Sequence, residues 1–366
     1  MTLSVGVEEE FLVVDPVMGR PVPRAADLIG QVEAVPDGAT VQPELSSAQV
    51  EAATGVCTTL GDLRKQLCSL RELLAVRARA AGVALQSAGV PVVDAAAPVT
   101  PGDRFERMVL TYGQVLGDYR CCACQVHVGV PDRDTAITVM DRVRRWLPTL
   151  LAISVNSPLF DARDTGYGSW RMVLQSRLPG GGVPPRFGSA ANYERMLAAL
   201  VDTGVLVDER MTFWVVRPSP AQPTLEFRVA DASLDVEGAL LQAALSRALV
   251  WQEMADMDAG KPAVGCSDTF AAAALWAASR YGLAGPAIDP VTGRQTLGIV
   301  LLADLLDHVR PALAEAGDLE QVRLLVDRLL AMGTGAERQR RAAERGMSAV
   351  LDTVAITAAA QREAPA

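Results

Sequence analysis

With 366 residues, half of them hydrophobic, the chain is long enough to bury a large core as one big domain or two closely joined ones. Its formal net charge of −9, without a dominant Lys/Arg block, argues against nucleic acid as the main partner. No run of about 18 uninterrupted apolar residues is present, which argues against a membrane span. Met1-Thr2-Leu3-Ser4-Val5 has neither a basic nor an apolar export stretch before Glu8-Glu9-Glu10, so the expected location is the cytoplasm. The cysteines, including Cys121, Cys122 and Cys124, then read as reduced and mostly buried rather than as a zinc site.

Residues 5–14 read as a strand bounded by the turn-forming Asp15-Pro16. A second strand is predicted over 48–57. Thr59 can cap a helix whose Leu63, Leu67, Leu70 and Leu74 recur at helical spacing until Gly82. A short strand over 83–86, a helix over 104–116 and a strand over 124–130 follow. The helix predicted over 135–155 must bend or lose a hydrogen bond at Pro148. Residues 156–187 are rich in Gly, Pro and Arg and read as a long active-site loop or lid. A helix over 190–200 and strands near 211–216 and 224–230 close a mixed region, residues 1–235. From 236 to 366 the pattern is helical and Ala/Leu-rich, packed on the same domain. The class is α+β, with a largely antiparallel sheet and a helical C-terminal part.

On a strand, alternate residues face opposite ways, so Glu8 and Glu10 point together while Glu9 points with Val7 and Phe11. Glu51 shares a face with Gln49 and Ala53, Gln125 with His127, and Glu226 with Arg228. Half-exposed antiparallel strands often look like this without any function. Four strands repeating the pattern, with acid on three and one of only two histidines on the fourth, point instead to a concave acidic site. Adjacent carboxylates on a half-buried surface repel, and Mg²⁺ or Mn²⁺ would relieve that cost. His308, in a Leu-rich helix, reads as structural, and Arg338 to Arg341 as a solvated helix face.

The segments Gly6-Val7-Glu8-Glu9-Glu10-Phe11, Cys124-Gln125-Val126-His127-Val128-Gly129-Val130, Asn156-Ser157-Pro158, Arg163-Asp164-Thr165-Gly166-Tyr167 and Thr224-Leu225-Glu226-Phe227-Arg228 resemble the type 2 glutamate–cysteine ligase, or carboxylate–amine ligase, family. The resemblance runs in order through most of the chain, to Arg280-Tyr281-Gly282 and Gly333-Thr334-Gly335-Ala336. It implies a glutamine-synthetase-like fold, with an antiparallel sheet curved into a funnel for ATP and divalent ions. By position, Glu10, Glu44 and Glu51 would surround one ion, and Glu8 and Glu226 would hold a second near the ATP phosphates. The family usually has histidine where this chain has Gln125, whose amide oxygen could still ligate a metal; His127 would contact the transferred phosphate. Val215 and Ala277 also depart from the pattern, standing where an acidic and a basic residue are common.

The implied chemistry is phosphorylation of a carboxylate by ATP, giving an acyl phosphate that an amine attacks. Its substrates would be a small carboxylic acid, with glutamate foremost, and an amine. Arg228 and Arg171 are the candidates to clamp carboxylate or phosphate oxygens, with structural salt bridges as the alternative for each. No Gly-x-x-x-x-Gly-Lys-Ser/Thr loop is present, so ATP binding rests on metals and resemblance. Two other readings stay open: a catalytically weak relative that binds a ligand or partner, and a metal-dependent amide hydrolase. A homodimer is also left open.

Overall fold

The computed structural model describes residues 3–29, 35–117 and 119–357. Seven strands form one antiparallel sheet: β1 (Val5–Val14), β2 (Thr40–Pro43), β3 (Gln49–Ala53), β4 (Ala84–Gln86), β5 (Ala123–Gly129), β6 (Val216–Pro218) and β7 (Thr224–Asp231). Their order is β2-β3-β1-β5-β7-β6, with β4 paired to the end of β1. The register sets Glu10 opposite Glu51, Glu8 opposite Gln125, and His127 opposite Glu226. Since neighbours across a ladder share a face, this register alone gathers the polar residues of four strands on one side.

The other side is apolar. Val7, Val126, Val128, Leu225, Phe227 and Val229 enter the largest core cluster. They are covered by helices Arg133–Val143, Leu147–Ser154 and Val236–Asp258. The last of these is buried at nearly every position of its first four turns, which is why it lacks a polar stripe.

Helix Leu60–Ala80 starts where the sequence places it. The Thr59 hydroxyl accepts from the Asp62 N–H, and the chain leaves through Gly82 at φ +70°. Leu63, Leu67, Leu70 and Leu74 are all buried, and so is Arg71 on the same stripe. That arginine meets Glu9, the one acid of the triplet that faces the core, through a hydrogen bond of 2.9 Å from its Nε. Neither group could be buried without the other.

Three expectations need correction. The helix over 135–155 is two helices joined by a 3₁₀ turn at Arg144–Trp146. Pro148 lies in the first turn of the second, where its missing N–H leaves no bond unmade. The strand near 211–216 is not formed: the 3₁₀ turn Glu209–Met211 ends where it was expected to begin, irregular chain with one bridge at Trp214 follows, and the short β6 starts only at Val216. The segment 156–187, read as a long active-site loop or lid, is a packed wedge carrying a two-stranded ladder and the helix Trp170–Gln175, and it reaches the cavity at Arg171 and Gln175. Asn156, Ser157, Ser169 and Arg171 in it are buried and converge on the buried carboxylate of Asp231.

The helices after residue 236 pack onto this wedge. Gln339 donates to the side-chain oxygen of Asn156 at 2.8 Å, Arg340 pairs with Asp164 at 2.9 Å, and Arg338 with Asp235 at 2.7 Å. Gly335 sits so close to Asn156 that a Cβ there would lie 2.2 Å from its Oδ1, so only glycine fits. The architecture is α+β around an open antiparallel sheet, as the sequence implied. No helix of the described residues is long and apolar enough to cross a membrane.

Candidate functional site

The polar side of the sheet floors a cavity of about 910 Å³. Ligand pockets run from roughly 300 to 1,000 Å³, so this one has room for more than one small molecule. Glu8, Glu10, Glu44, Glu51, Gln125, His127, Glu226 and Arg228 all line it, and so does Arg171.

The carboxylates fall into two groups. In the first, one oxygen each of Glu10, Glu44 and Glu51 lies within 4.8 Å of the others. Glu10 and Glu51 are 7% and 3% exposed. Their support is neutral: Glu10 accepts from the Ala123 N–H at 2.8 Å and from the Gln125 amide at 2.6 Å, and Glu51 accepts from Gln42. Burial first, and Glu44 second, push the Glu10 carboxyl up to about 8. Burial and then Glu8 push Glu51 well above the usual carboxylate range. Three acids held together without a cation between them bear the repulsion themselves.

In the second group Glu8, His127 and Glu226 approach equally closely. His127 Nδ1 is hydrogen-bonded to the Thr224 hydroxyl at 2.8 Å, which leaves Nε2 directed into the cluster. Nε2 stands 3.2 Å from Glu8 Oε1, yet it is buried without a properly aligned hydrogen bond. Burial pulls the imidazole pKa down, but the neighbouring Glu8 and Glu226 outweigh it and the net shift is upward.

Glu226 is held from two sides. Arg217 Nε donates to it at 2.8 Å, and Arg228 contacts its other oxygen. Burial would raise its pKa, but Arg228 and Arg217 override that and hold it below the usual range. The same Nη1 of Arg228 reaches Gln125 Oε1. Arg228 Nε is buried without a partner, while the side chain keeps 21% of its surface exposed toward the cavity.

Oxygen-rich sites with one imidazole suit Mg²⁺ and Mn²⁺. The unrelieved repulsion around Glu10 and the unbonded Nε2 of His127 fit a cation at either cluster. Gln125 lies between the two clusters. Its amide oxygen is taken by Arg228 and its NH₂ faces Glu10, so it presents a donor to the carboxylates.

Of the two readings open for Arg171, its contacts are those of the structural salt bridge. Its Nε donates to Asp231 at 2.9 Å and its Nη2 to the carbonyls of Val229 and Ala230 at 2.7 and 2.8 Å. Buried and neutralised, it ties β7 to the wedge and has little left to offer a substrate. Val215 and Ala277 are packed in the core, consistent with their apolar character. The three clustered cysteines are free and buried, and His308 bonds Glu253 at 3.0 Å while stacking on Trp146.

Sequence reasoning missed Arg217, Gln42, Asp231 and Arg71. Arg71 had a signal, since it stands four residues after Leu67 on an apolar stripe. Asp231 had none, because its partners arrive from a distant segment; Arg217 stands opposite Glu226 across a hairpin only nine residues long, a pairing the sequence reading did not draw.

Comparison with known proteins covers nearly the whole chain. Residues 4–359 match the glutamate–cysteine ligase family 2 model. A relative from Saccharopolyspora erythraea, provisionally named glutamate–cysteine ligase 2-2, is 48% identical over 348 residues, 94% of this chain and 89% of its own. One from Salinispora arenicola, provisionally named glutamate–cysteine ligase 2, is 40% identical over 365 residues, spanning 100% of this chain and 96% of its own. Among solved structures, a Francisella tularensis glutamate–cysteine ligase in complex with AMP shares the fold at TM-score 0.73 and 13% identity, covering 100% of this chain and 90% of that one. A bifunctional glutathione synthetase from Pasteurella multocida follows at TM-score 0.69 and 18% identity, covering 96% of this chain and 51% of that one. The chain belongs to glutamate–cysteine ligase family 2, a family of ATP-dependent carbon–nitrogen ligases.

Proposed function

We propose that this enzyme joins the γ-carboxylate of glutamate to an amine, using ATP and divalent cations, through an acyl-phosphate intermediate. The observation that carries the reading is the pair of carboxylate clusters opening on one cavity beside Arg228, a cation with surface still free. A carboxylate resists amines because oxide is its leaving group. When a γ-carboxylate oxygen attacks the terminal phosphorus of ATP, ADP departs with the bonding pair. The amine nitrogen then attacks the acyl carbon, phosphate leaves, and nitrogen sheds a proton to solvent.

Bound Mg²⁺ or Mn²⁺ would neutralise the charge that builds on the phosphate oxygens. Glu10, Glu44 and Glu51 are suited to hold one cation, and Glu8, His127 and Glu226 a second. Arg217 and Arg228 keep Glu226 ionised and fixed, so that this carboxylate is always ready as a ligand. His127, locked at Nδ1 by Thr224, is placed to meet a phosphate oxygen through Nε2. Arg228 offers a guanidinium edge to the acid substrate.

The test is ADP release from the purified enzyme with Mg²⁺ and glutamate, screened against a panel of amines, with the product identified by mass. ADP formation that needs both substrates, and a product lighter than their sum by one water, is the expected result. Amide hydrolysis without ATP would make the enzyme a hydrolase. Nucleotide binding without turnover on any amine would make it a non-catalytic relative.

A further inference from the structure

Gln125 is buried in the floor of the cavity, opposite Glu8 of β1, and its amide is engaged at both ends. The NH₂ donates to Glu10 Oε1 at 2.6 Å, and Oε1 accepts from Arg228 Nη1. The same Nη1 contacts Glu226. One side chain thus joins the first carboxylate cluster to the arginine that braces the second.

An amide has a direction: its oxygen only accepts and its nitrogen only donates. The orientation present suits a cluster without a cation, because the NH₂ offers its protons to crowded carboxylates. With Mg²⁺ or Mn²⁺ among Glu10, Glu44 and Glu51, those protons would face a positive charge in a buried place where water screens little. A half-turn of the amide removes the conflict and directs Oε1, an oxygen of the kind these ions accept, toward the acids. The same half-turn sets the NH₂ against Arg228 Nη1, donor to donor, and that contact cannot persist. Glu226 stays braced throughout, since Arg217 Nε donates to it at 2.8 Å independently of Gln125.

Resting on the cation and acid-substrate roles proposed above, we propose that Gln125 is a positioning residue that withholds Arg228 from the acid substrate until a cation occupies the Glu10 cluster. In the cation-free enzyme the amide oxygen holds Nη1. In the loaded enzyme that N–H is released into the cavity, where a substrate carboxylate takes it. The consequence is an order of binding, with the cation first and the acid second.

Crystal structures with Mn²⁺ and with chelator, both without substrate, read the amide directly. The contact between Arg228 Nη1 and Gln125 is expected in chelator and broken with Mn²⁺. A Mn²⁺-loaded structure that keeps it would overturn the proposal, whatever reaction the enzyme performs. Calorimetric titration of L-glutamate measures the consequence: the wild type should bind it about tenfold more tightly with Mn²⁺ than with chelator. Mn²⁺ can also attract glutamate directly, and Gln125→Met, which keeps the length but removes both polar ends, separates the two effects. In that variant glutamate binding in chelator should tighten about tenfold over the wild type. A variant as weak as the wild type in chelator would show that the amide withholds nothing, and the proposal fails. The two levels stay distinguishable. Ligation of glutamate by an enzyme whose amide does not turn refutes only the role of Gln125; an amide that turns in an enzyme releasing no ADP with any amine refutes the ligase reading.

Discussion

Glu10 shows how a single residue can cost the fold what it gives the site. Its pKa stands near 8 in the fold against 4.5 for an unperturbed glutamate, so between those values the folded protein holds a proton that the unfolded chain has released. Stability of the cation-free enzyme should therefore fall as pH rises from about 4.5 through about 8, because the native state binds more protons. Glu10→Gln is expected to flatten that part of the profile, to raise the melting temperature of the cation-free protein near pH 8, and to weaken Mn²⁺ binding. Melting curves across pH with chelator, and calorimetry with Mn²⁺, read the two effects separately. An unchanged pH profile would mean that Glu10 is ionised at little cost. At Arg228 the geometry of the guanidinium matters more than its charge. Arg228→Lys retains the charge but loses the planar guanidinium, whose Nη1 reaches both Gln125 and Glu226 and whose remaining nitrogens are left to meet a carboxylate. It should lower kcat/KM for the acid substrate about tenfold or more, with a much smaller change for ATP. Equal losses for both would put Arg228 on the phosphates.

Among the elements, β1 was the most legible from sequence and carries the most consequence. Strand geometry alone sets its Glu8 and Glu10 on one face, although its last six residues are all buried. What it could not reveal was the compensation for Glu9, which comes from a helix 62 residues later. Arg71→Met would leave Glu9 buried beside the core without a counter-charge, at a cost of about 3–5 kcal/mol. The double variant Arg71→Met, Glu9→Leu should recover most of that loss, since an apolar pair of similar volume avoids the desolvation. Denaturant unfolding of the single and double variants measures the difference, and a double variant no better than Arg71→Met would show that the site needs Glu9 for more than charge balance. β7 was legible only in part. Its pairing with β5 shifts between Cys124 and Val126, so Arg228 and Val229 both stand opposite Gln125. Strict alternation therefore holds through Arg228 and fails beyond it, where Val229 and Ala230 both enter the core. A bulge has no signature in this sequence, because Val and Ala suit either face of a strand.

At the scale of the molecule, the fold class and the shared polar face of Glu8, Glu10, Glu51, Gln125, His127 and Glu226 were legible from local alternation repeated in several strands, whereas Glu44 and the division into two clusters came only from the family resemblance. The wedge at 156–187 was not legible, since its glycines and prolines look the same whether a segment swings over a site or is fastened beneath it. It is fastened at both ends of a chain of contacts: Gln339 holds Asn156, the Asn156 N–H meets Asp231, and Asp231 anchors Arg171 against the carbonyls of β7. An enzyme ending at Gly333 should accordingly lose activity and melt in a lower, broader transition, whereas the full chain should show one calorimetric transition. Two transitions in the full chain would divide it into independent units. The clasp also bears on biosynthesis. Strands holding Glu8, Glu10 and Glu51 are synthesised well before Gln339, which fastens the wedge at Asn156. Until Gln339 emerges, the nascent chain carries a cluster of acids with its supporting wedge unfastened, and the site takes its final shape only afterwards.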